Sequence, residues 1–247
     1  MILEKKCFAF IPAVLGLLAF AGCKSTQVSL SQHGPAAIVA VTGNQALPWE
    51  ADANSDSDED DGNGVLTTMV NKMIDGNNPE LQTGRDRLDY AVDSLRAGLQ
   101  DIAGIEVLDN DTVLKSQNYF EIRESPFNIL DSRISASGFK MLSSVGAKRA
   151  RMLMDEIGAK CLVILDFDFR KTMAQGTKRS GVVAPMLTMK VLVIDENGRE
   201  LVNKTFEQKA SSGVRSASGS YDKNELVGLY PELIDNAISQ FIVSYVQ

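Results

Sequence analysis

The sequence predicts an α/β protein, with α+β as the alternative. The expected architecture is a single mixed β-sheet packed with amphipathic helices, with a late antiparallel hairpin and a C-terminal helix. Two observations carry the prediction. Short apolar runs rich in β-branched residues alternate with helical stripes, and later an Asn-Gly pair separates two β-rich runs before a last helical stripe. This order is typical of a sheet covered by helices.

The strands are predicted from five segments with apolar and β-branched content. In the third segment, Asp166 and Asp168 alternate with phenylalanines, which indicates that one face of that strand leaves the core. The last two segments flank Asn197 and Gly198, the strongest short hairpin signal in the chain. The predicted strands are residues 36–41, 105–108, 161–169, 184–194 and 200–209.

The helices are predicted from four segments that repeat apolar residues at helical spacing. Gly104 and Gly158 end the second and third of these segments, as glycine commonly does at helix C-termini. A further short helix is expected near residues 113–119. Residues 172–181 and 211–220 are rich in small and polar side chains and are predicted to be exposed, mobile loops. The predicted helices are residues 65–74, 88–102, 147–157 and 231–245.

The N-terminus carries the features of a secretory signal peptide. Lys5 and Lys6 precede an apolar stretch at residues 7–20, and two small residues then stand directly before Cys23. This ending resembles the lipobox of bacterial lipoproteins, with phenylalanine where leucine is usual. The resemblance implies that residues 1–22 are removed and that Cys23 is lipidated. A signal peptide cleaved elsewhere and an uncleaved anchor are the alternatives.

The rest of the chain is predicted to form a tether and one domain. Residues 23–35 are polar and small, which is typical of a tether. Residues 36–247 contain all the predicted strands and helices and are expected to form a single α/β domain. Within this domain, residues 51–64 hold a dense run of carboxylates that cannot bury itself, so this segment is predicted to be a solvated acidic loop.

Calcium is the lesser alternative for this acidic loop. Asp56, Asp58 and Asp60 have the spacing of the first ligands in a calcium-binding loop. However, Asp61 stands where such a loop needs glycine, and Thr67 stands where it needs glutamate. The departures favour a solvated loop without a bound ion.

Composition argues against several kinds of chemistry. The formal net charge of −7 disfavours a general nucleic-acid role, because phosphates repel an acidic protein. His33 is the single histidine, and Cys161 is the single cysteine beyond the predicted signal peptide and lipid anchor. These residues are too few for a usual zinc site or a Ser-His-Asp triad. Cys161 lies in an apolar run and is predicted to be buried. The covalent lipid is therefore the only non-protein group that we expect.

Three short motifs resemble one family of periplasmic domains. They are IVAV followed by TGN at residues 38–44, IGAKCLVI at 157–164, and VLVID followed by NG at 191–198. Together with the order of elements, they resemble the domain shared by lipoproteins of the CsgG and LpoB types and by the N-terminal domain of TolB. The resemblance implies an envelope location and a mixed α/β architecture, and it implies no activity.

These features predict a non-catalytic binding or adaptor lipoprotein, or an assembly factor, in the outer membrane. Lys24 directly follows the predicted lipid cysteine and fits outer-membrane sorting, because aspartate at that place is the familiar inner-membrane retention signal. The protein is expected to face the periplasm, to hold membrane lipid through its acyl anchor and to bind an envelope protein. Lys178, Arg179 and Arg215 are the predicted contacts, because they are basic residues in the two predicted loops.

Two other functions are weighed against the adaptor. A membrane-active lipoprotein could insert amphipathic helices into the lipid interface, with residues 65–74 and 234–245 as the candidates. These helices lack the basic polar face that such insertion favours. An enzyme could use Asp166 and Asp168, whose side chains share one strand face. Because no histidine or second carboxylate cluster stands near them in sequence, an enzyme is the least favoured of the three functions.

Overall fold

A computed structural model of the chain describes residues 30–50, 84–124 and 133–245. Several sequence predictions lie outside these residues: the signal peptide, Cys23, the acidic loop with Asp56, Asp58 and Asp60, and the helix at residues 65–74. The prediction of an α/β fold is confirmed, because the described residues form a single mixed sheet packed with helices.

The sheet contains six strands within the described residues. Their order is β2-β1-β3-β4-β5, and β6 pairs with β4 beyond the end of β5. β1 and β3 are parallel, and the other pairs are antiparallel. The strands are β1 (Ala36–Asn44), β2 (Arg133–Ser135), β3 (Cys161–Thr177), β4 (Ser180–Asp195), β5 (Glu200–Lys209) and β6 (Val214–Ala217).

The helices confirm three of the four helical predictions, and the fourth lies outside the described residues. The short helix expected near residues 113–119 forms two helices, because Ser116 leaves the helical conformation and caps the second one by accepting a hydrogen bond from the backbone of Tyr119. The helices are α1 (Gly84–Ala97), α2 (Asn110–Leu114), α3 (Gln117–Phe120), α4 (Ala147–Ile157), α5 (Lys223–Val227) and α6 (Tyr230–Tyr245). A π-helical turn, Gly98–Ile102, extends α1.

The strand predicted at residues 105–108 is wrong. Val107 makes only an isolated parallel bridge with Ala36. The backbone N–H of Ala36 donates to the carbonyl of Glu106 at 2.8 Å, and that of Leu108 donates to the carbonyl of Ala36 at 2.9 Å. The chain enters α2 at Asn110, so the pairing stops before a strand is established.

The two segments predicted as loops contain paired strands instead, although most of their residues are exposed as predicted. Residues 172–181 continue β3 and β4 as paired strands, and only Lys178 and Arg179 separate the two strands. Part of residues 211–220 forms β6, which pairs with the first four residues of β4. The small and polar side chains of both segments gave no sign of these strands in the sequence. The pairing of β3 with β4 is a local hairpin, the pairing of β4 with β6 is long-range, and β4 has one neighbour on each side there.

The two faces of the sheet are covered differently. On one face, α1 and α6 pack over a continuous apolar surface that includes Phe167 and Phe169. On the other face, α2, α3 and α4 pack over the part of the sheet that includes Leu162 and Ile164. Farther along β3 on this second face, polar side chains replace the apolar ones and are partly exposed. Polar and apolar residues begin to alternate along β3 at Asp166, and this position therefore marks the edge of the second core.

The prediction that Cys161 is buried is confirmed. Its side chain is 2% exposed at the start of β3, and burial raises the pKa of its thiol to about 12. The chain before β1 also packs here: Leu30 is 1% exposed, and the carbonyl of Pro35 accepts a hydrogen bond from the backbone of Lys160 at 2.7 Å. Residues 30–35, which the sequence assigns to the tether, therefore lie against the domain.

Gly158 provides a test of the C-terminus of α4. Its φ of 77° is left-handed, and a Cβ atom there would meet nothing within 4 Å. We expect Gly158→Ala to lower the free energy of unfolding by about 1 kcal/mol, because only the backbone conformation opposes alanine. Urea unfolding measures the change. Gly146→Ala is the control, because Gly146 has a φ of −61° and equally open space. At this N-cap of α4, the poorer capping by alanine and the reduced entropy of the unfolded chain oppose each other, so stability should change by less than about 0.5 kcal/mol. Equal effects of the two changes would contradict the prediction.

Candidate functional site

The three basic residues predicted as contacts lie together at one end of the sheet. Lys178 and Arg179 form the turn between β3 and β4, and Arg215 lies on β6 opposite Val182 of β4. Arg179 and Arg215 are exposed, and Lys178 is half-buried. We call this cluster of Lys178, Arg179 and Arg215 the basic tip. The fold brings the turn of Lys178 and Arg179 next to Arg215, which lies more than thirty positions later in the sequence.

The basic tip is held by hydrogen bonds to the β6 segment. The hydroxyl of Ser216 donates to the carbonyl of Lys178 at 2.7 Å. The backbone N–H of Gly219 donates to the carbonyl of Arg179 at 3.0 Å. Both residues of the turn are thus bonded through their backbones, which orders the turn that carries the cationic side chains.

A small apolar cluster supports the basic tip from one face. It consists of Val183, Val214, Tyr221 and Leu226, with Trp49 packed against it. The rings of Trp49 and Tyr221 meet edge to face with centroids 6.4 Å apart. Such contacts give the end of the hairpin a core of its own, separate from the two larger ones.

Trp49 also lies beside two lysines. The Nζ atom of Lys178 is 4.7 Å from the centroid of the Trp49 ring, and that of the fully buried Lys171 is 5.1 Å from it. Each such contact stabilises by about 0.5–1 kcal/mol where it is exposed and by more where it is buried. Trp49 and Lys171 are not among the contact residues predicted from the sequence. The available signal was that Trp49 is the single tryptophan of the chain.

The basic tip lies far from the point where the chain enters the sheet. β1 and β3 are parallel, and Ala36 is paired with Cys161 at the start of both strands. From Cys161, β3 continues to Thr177, next to the basic tip. At about 3.3 Å per residue, the strand spans roughly 50 Å. The N-terminal segment and the basic tip are therefore at opposite ends of the sheet.

Asp166 and Asp168 lie on the partly exposed face of β3, as their alternation predicted, and each contacts an arginine. Asp166 pairs with Arg133 of β2 and accepts a hydrogen bond from the hydroxyl of Thr42 at 2.7 Å. Asp168 pairs with Arg170, and this contact raises the pKa of the Arg170 guanidinium. The two carboxylates thus have separate cationic partners. In the part of the chain that the structure describes, no three metal-ligating side chains gather.

Glu156 of α4 is a carboxylate with a strongly lowered pKa, and its role is structural. It accepts hydrogen bonds from the hydroxyl of Ser116 at 2.7 Å and from the backbone N–H groups of Gln117 and Asn118 at 2.8 and 2.9 Å. The side chain of Asn118 donates a further bond at 2.7 Å. The Ser116 bond, followed by the others, holds the pKa of Glu156 at about 2. These bonds fasten the start of α3 to α4.

Tyr119 has a similar structural role on the other side of α3. Its hydroxyl donates to the carbonyl of Val39 at 3.0 Å and accepts from the backbone N–H of Lys140 at 2.9 Å. Burial raises the pKa of Tyr119 to about 12, so the hydroxyl keeps its proton at neutral pH. The residue joins α3 to β1 and to the segment before α4.

The apolar face of α6 belongs to the core. Five of its apolar residues are between 0 and 2% exposed and pack against the sheet and α1. Among the helices that the structure describes, none has the length and apolar character needed to cross a membrane. The residues of this face are Ile234, Ala237, Ile238, Phe241 and Ile242.

The chain matches no protein-family model, and no curated protein matches it significantly.

The bonds to Glu156 predict an acid-dependent contribution to stability. Its pKa is lowered from 4.5 to about 2, so its stabilising effect is present above about pH 4.5 and is lost as the pH falls towards 2. We expect Glu156→Gln to lower the free energy of unfolding at neutral pH, and the difference from the wild type to shrink in acid.

Urea unfolding at neutral and acidic pH measures this difference. Glu207→Gln is the control, because Glu207 is exposed on β5, and it should leave the free energy of unfolding nearly unchanged at both pH values. A Glu156→Gln variant whose deficit is the same at both pH values would refute the prediction.

Proposed function

We propose that this protein is a lipid-anchored, non-catalytic adaptor or assembly factor of the bacterial outer membrane. In this proposal it faces the periplasm and binds an envelope protein through its basic tip. The observation that carries the proposal is the gathering of Lys178, Arg179 and Arg215 at the end of the sheet opposite Ala36.

The geometry supports a contact at a distance from the membrane. An anchor at Cys23 leads into the domain near Ala36, at the end of the sheet where β1 and β3 begin. The basic tip lies roughly 50 Å farther along β3, at the estimated strand rise. A domain held in this way presents its cationic end away from the lipid surface, where it can reach another protein.

The charge distribution supports an acidic partner surface. The whole chain has a formal net charge of −7, whereas the turn and the neighbouring strand β6 together present three cationic side chains. Complementary charges guide the orientation and speed of association and oppose the binding of wrong partners. The partner surface that best fits the basic tip is therefore one rich in Asp and Glu.

Two further observations favour an adaptor over the other functions weighed. The apolar face of α6, a candidate for lipid insertion, is buried in the core. Asp166 and Asp168, the candidate catalytic carboxylates, contact Arg133 and Arg170. Membrane attachment then rests on the acyl groups at Cys23. Because a single acyl chain binds membranes only marginally, stable attachment needs more than one chain.

The proposed anchor is tested by Cys23→Ala. We expect this variant to incorporate no fatty acid and to leave the membrane fraction, because the acyl chains supply the attachment. Metabolic labelling with an alkyne fatty acid, followed by fractionation, measures both effects. Cys7→Ala is the control, because Cys7 lies in the predicted signal peptide, and it should remain labelled and membrane-bound. Continued labelling of Cys23→Ala would reject the anchor.

The proposed contact is tested by reversing the charge of the basic tip. A photo-crosslinking amino acid at the exposed position of Ser180 reports proteins that touch the tip of the anchored chain in its native envelope. We expect a discrete adduct whose yield falls about tenfold in the double variant Arg179→Glu with Arg215→Glu, because the charges on the tip then repel an acidic partner.

A charge-matched control separates the tip from the charge of the whole protein. Lys148→Glu with Lys204→Glu makes the same change of charge at exposed positions on α4 and β5, and the adduct should persist. The absence of any protein adduct, or an equal loss in both double variants, would overturn the proposed contact.

A further inference from the structure

A groove on the helical side of the molecule is independent of the basic tip. It lies between α6 and the end of α1, where α1 passes into the π-helical turn, and has a volume of about 630 Å³. This volume is in the usual range for sites that hold a small molecule or a few side chains. Its apolar lining includes Gly98, Ile102, Ile238 and Ile242.

The helix geometry explains the shape of this groove. A Cβ atom on Gly98 would lie 2.4 Å from the Cδ1 atom of Ile242, so the absence of a side chain lets the two helices approach closely there. The π-helical turn then adds a residue to the helical repeat, and Ile102 at its end is 55% exposed. Such turns are rare in proteins and recur at functional sites.

The charged residues that line the groove are all carboxylates. They are Asp93, Asp101 and Asp235, and no lysine, arginine or histidine of the described part of the chain lines it. Asp235 is oriented by two hydroxyl groups: that of Tyr90 donates to it at 2.7 Å and that of Ser94 at 2.6 Å. The hydrogen bond to Asp235 raises the pKa of Tyr90.

These carboxylates have no cationic partner within the described part of the chain. The ion pairs formed there join other residues and leave out all three aspartates. A concave surface lined by charges of one sign concentrates its field and attracts ligands of the opposite sign. Among the described residues, the groove therefore combines the exposed apolar side chain of Ile102 with three carboxylates that form no ion pair.

We propose that this groove binds a short peptide segment of a partner protein in which Lys or Arg residues flank an apolar side chain. The apolar side chain packs on Ile102, which is 55% exposed at the groove, and the cations meet the three carboxylates. An acidic or uncharged segment is disfavoured, because it would bury carboxylates without a charge partner. This site is separate from the basic tip and stands whether or not the tip binds a protein.

Peptide binding to the full-length chain in detergent tests the groove. The probe is a short fluorescein-labelled peptide with leucines and lysines at helical spacing, and its counterpart has glutamates in place of the lysines. We expect only the lysine peptide to bind, with an affinity that falls as salt is added. Asp93→Asn with Asp101→Asn should weaken this binding about tenfold, because two ion pairs are lost.

Two controls assign the binding to the groove. Asp155→Asn with Glu207→Gln removes the same charge at exposed positions elsewhere and should change the affinity by less than about twofold. Ile102→Ser should weaken binding, whereas Val243→Ser should not, because Val243 is similarly exposed, at 57%, but does not line the groove. Failure of the lysine peptide to bind, or equal losses in groove and control variants, would overturn the proposal.

Discussion

The antiparallel pairing of β3 with β4 is the interaction on which the rest of the structure depends. It runs from Cys161 opposite Asp195 to Thr177 opposite Ser180. The other edge of β3 holds β1, and the other edge of β4 holds β5 and then β6. The helices cover the faces that this pair creates, so both large cores and the basic tip rely on one ladder of backbone hydrogen bonds, which shifts register only at a bulge between Met173 and Gln175.

The elements that the sequence predicts well are those whose signals are local. The stripe of α6, the glycine that ends α4 and the Asn197-Gly198 turn each specify their conformation within a few residues. Residues 172–181 have no such signal. They pair within one hairpin and, at residues 180 and 181, with β6, but their small and polar composition suggested a loop. Residues 105–108 are the opposite case. Their apolar composition predicted a strand, but they pair with the sheet only through an isolated bridge at Val107.

The sites follow the same distinction. The sequence identifies Lys178, Arg179 and Arg215 one by one as basic residues in segments rich in small and polar side chains. Only the register of β4 with β6 brings them together. The groove lay beyond sequence reasoning, because Asp93 and Asp235 stand on two helices that meet only through packing. Each helix alone has the polar face expected of a solvated surface.

The attachment of the N-terminal segment to β1 has a mechanical consequence. β1 is an interior strand, with β2 on one side and β3 on the other, and its first residue is paired with the first residue of β3. A pull on the chain before Ala36 acts along the strand, so it loads the β1–β3 hydrogen bonds together in shear. Unzipping, in which bonds break one after another, needs a force across the strand. The fold thus resists tension best when the force acts along β1, through the chain that precedes Ala36.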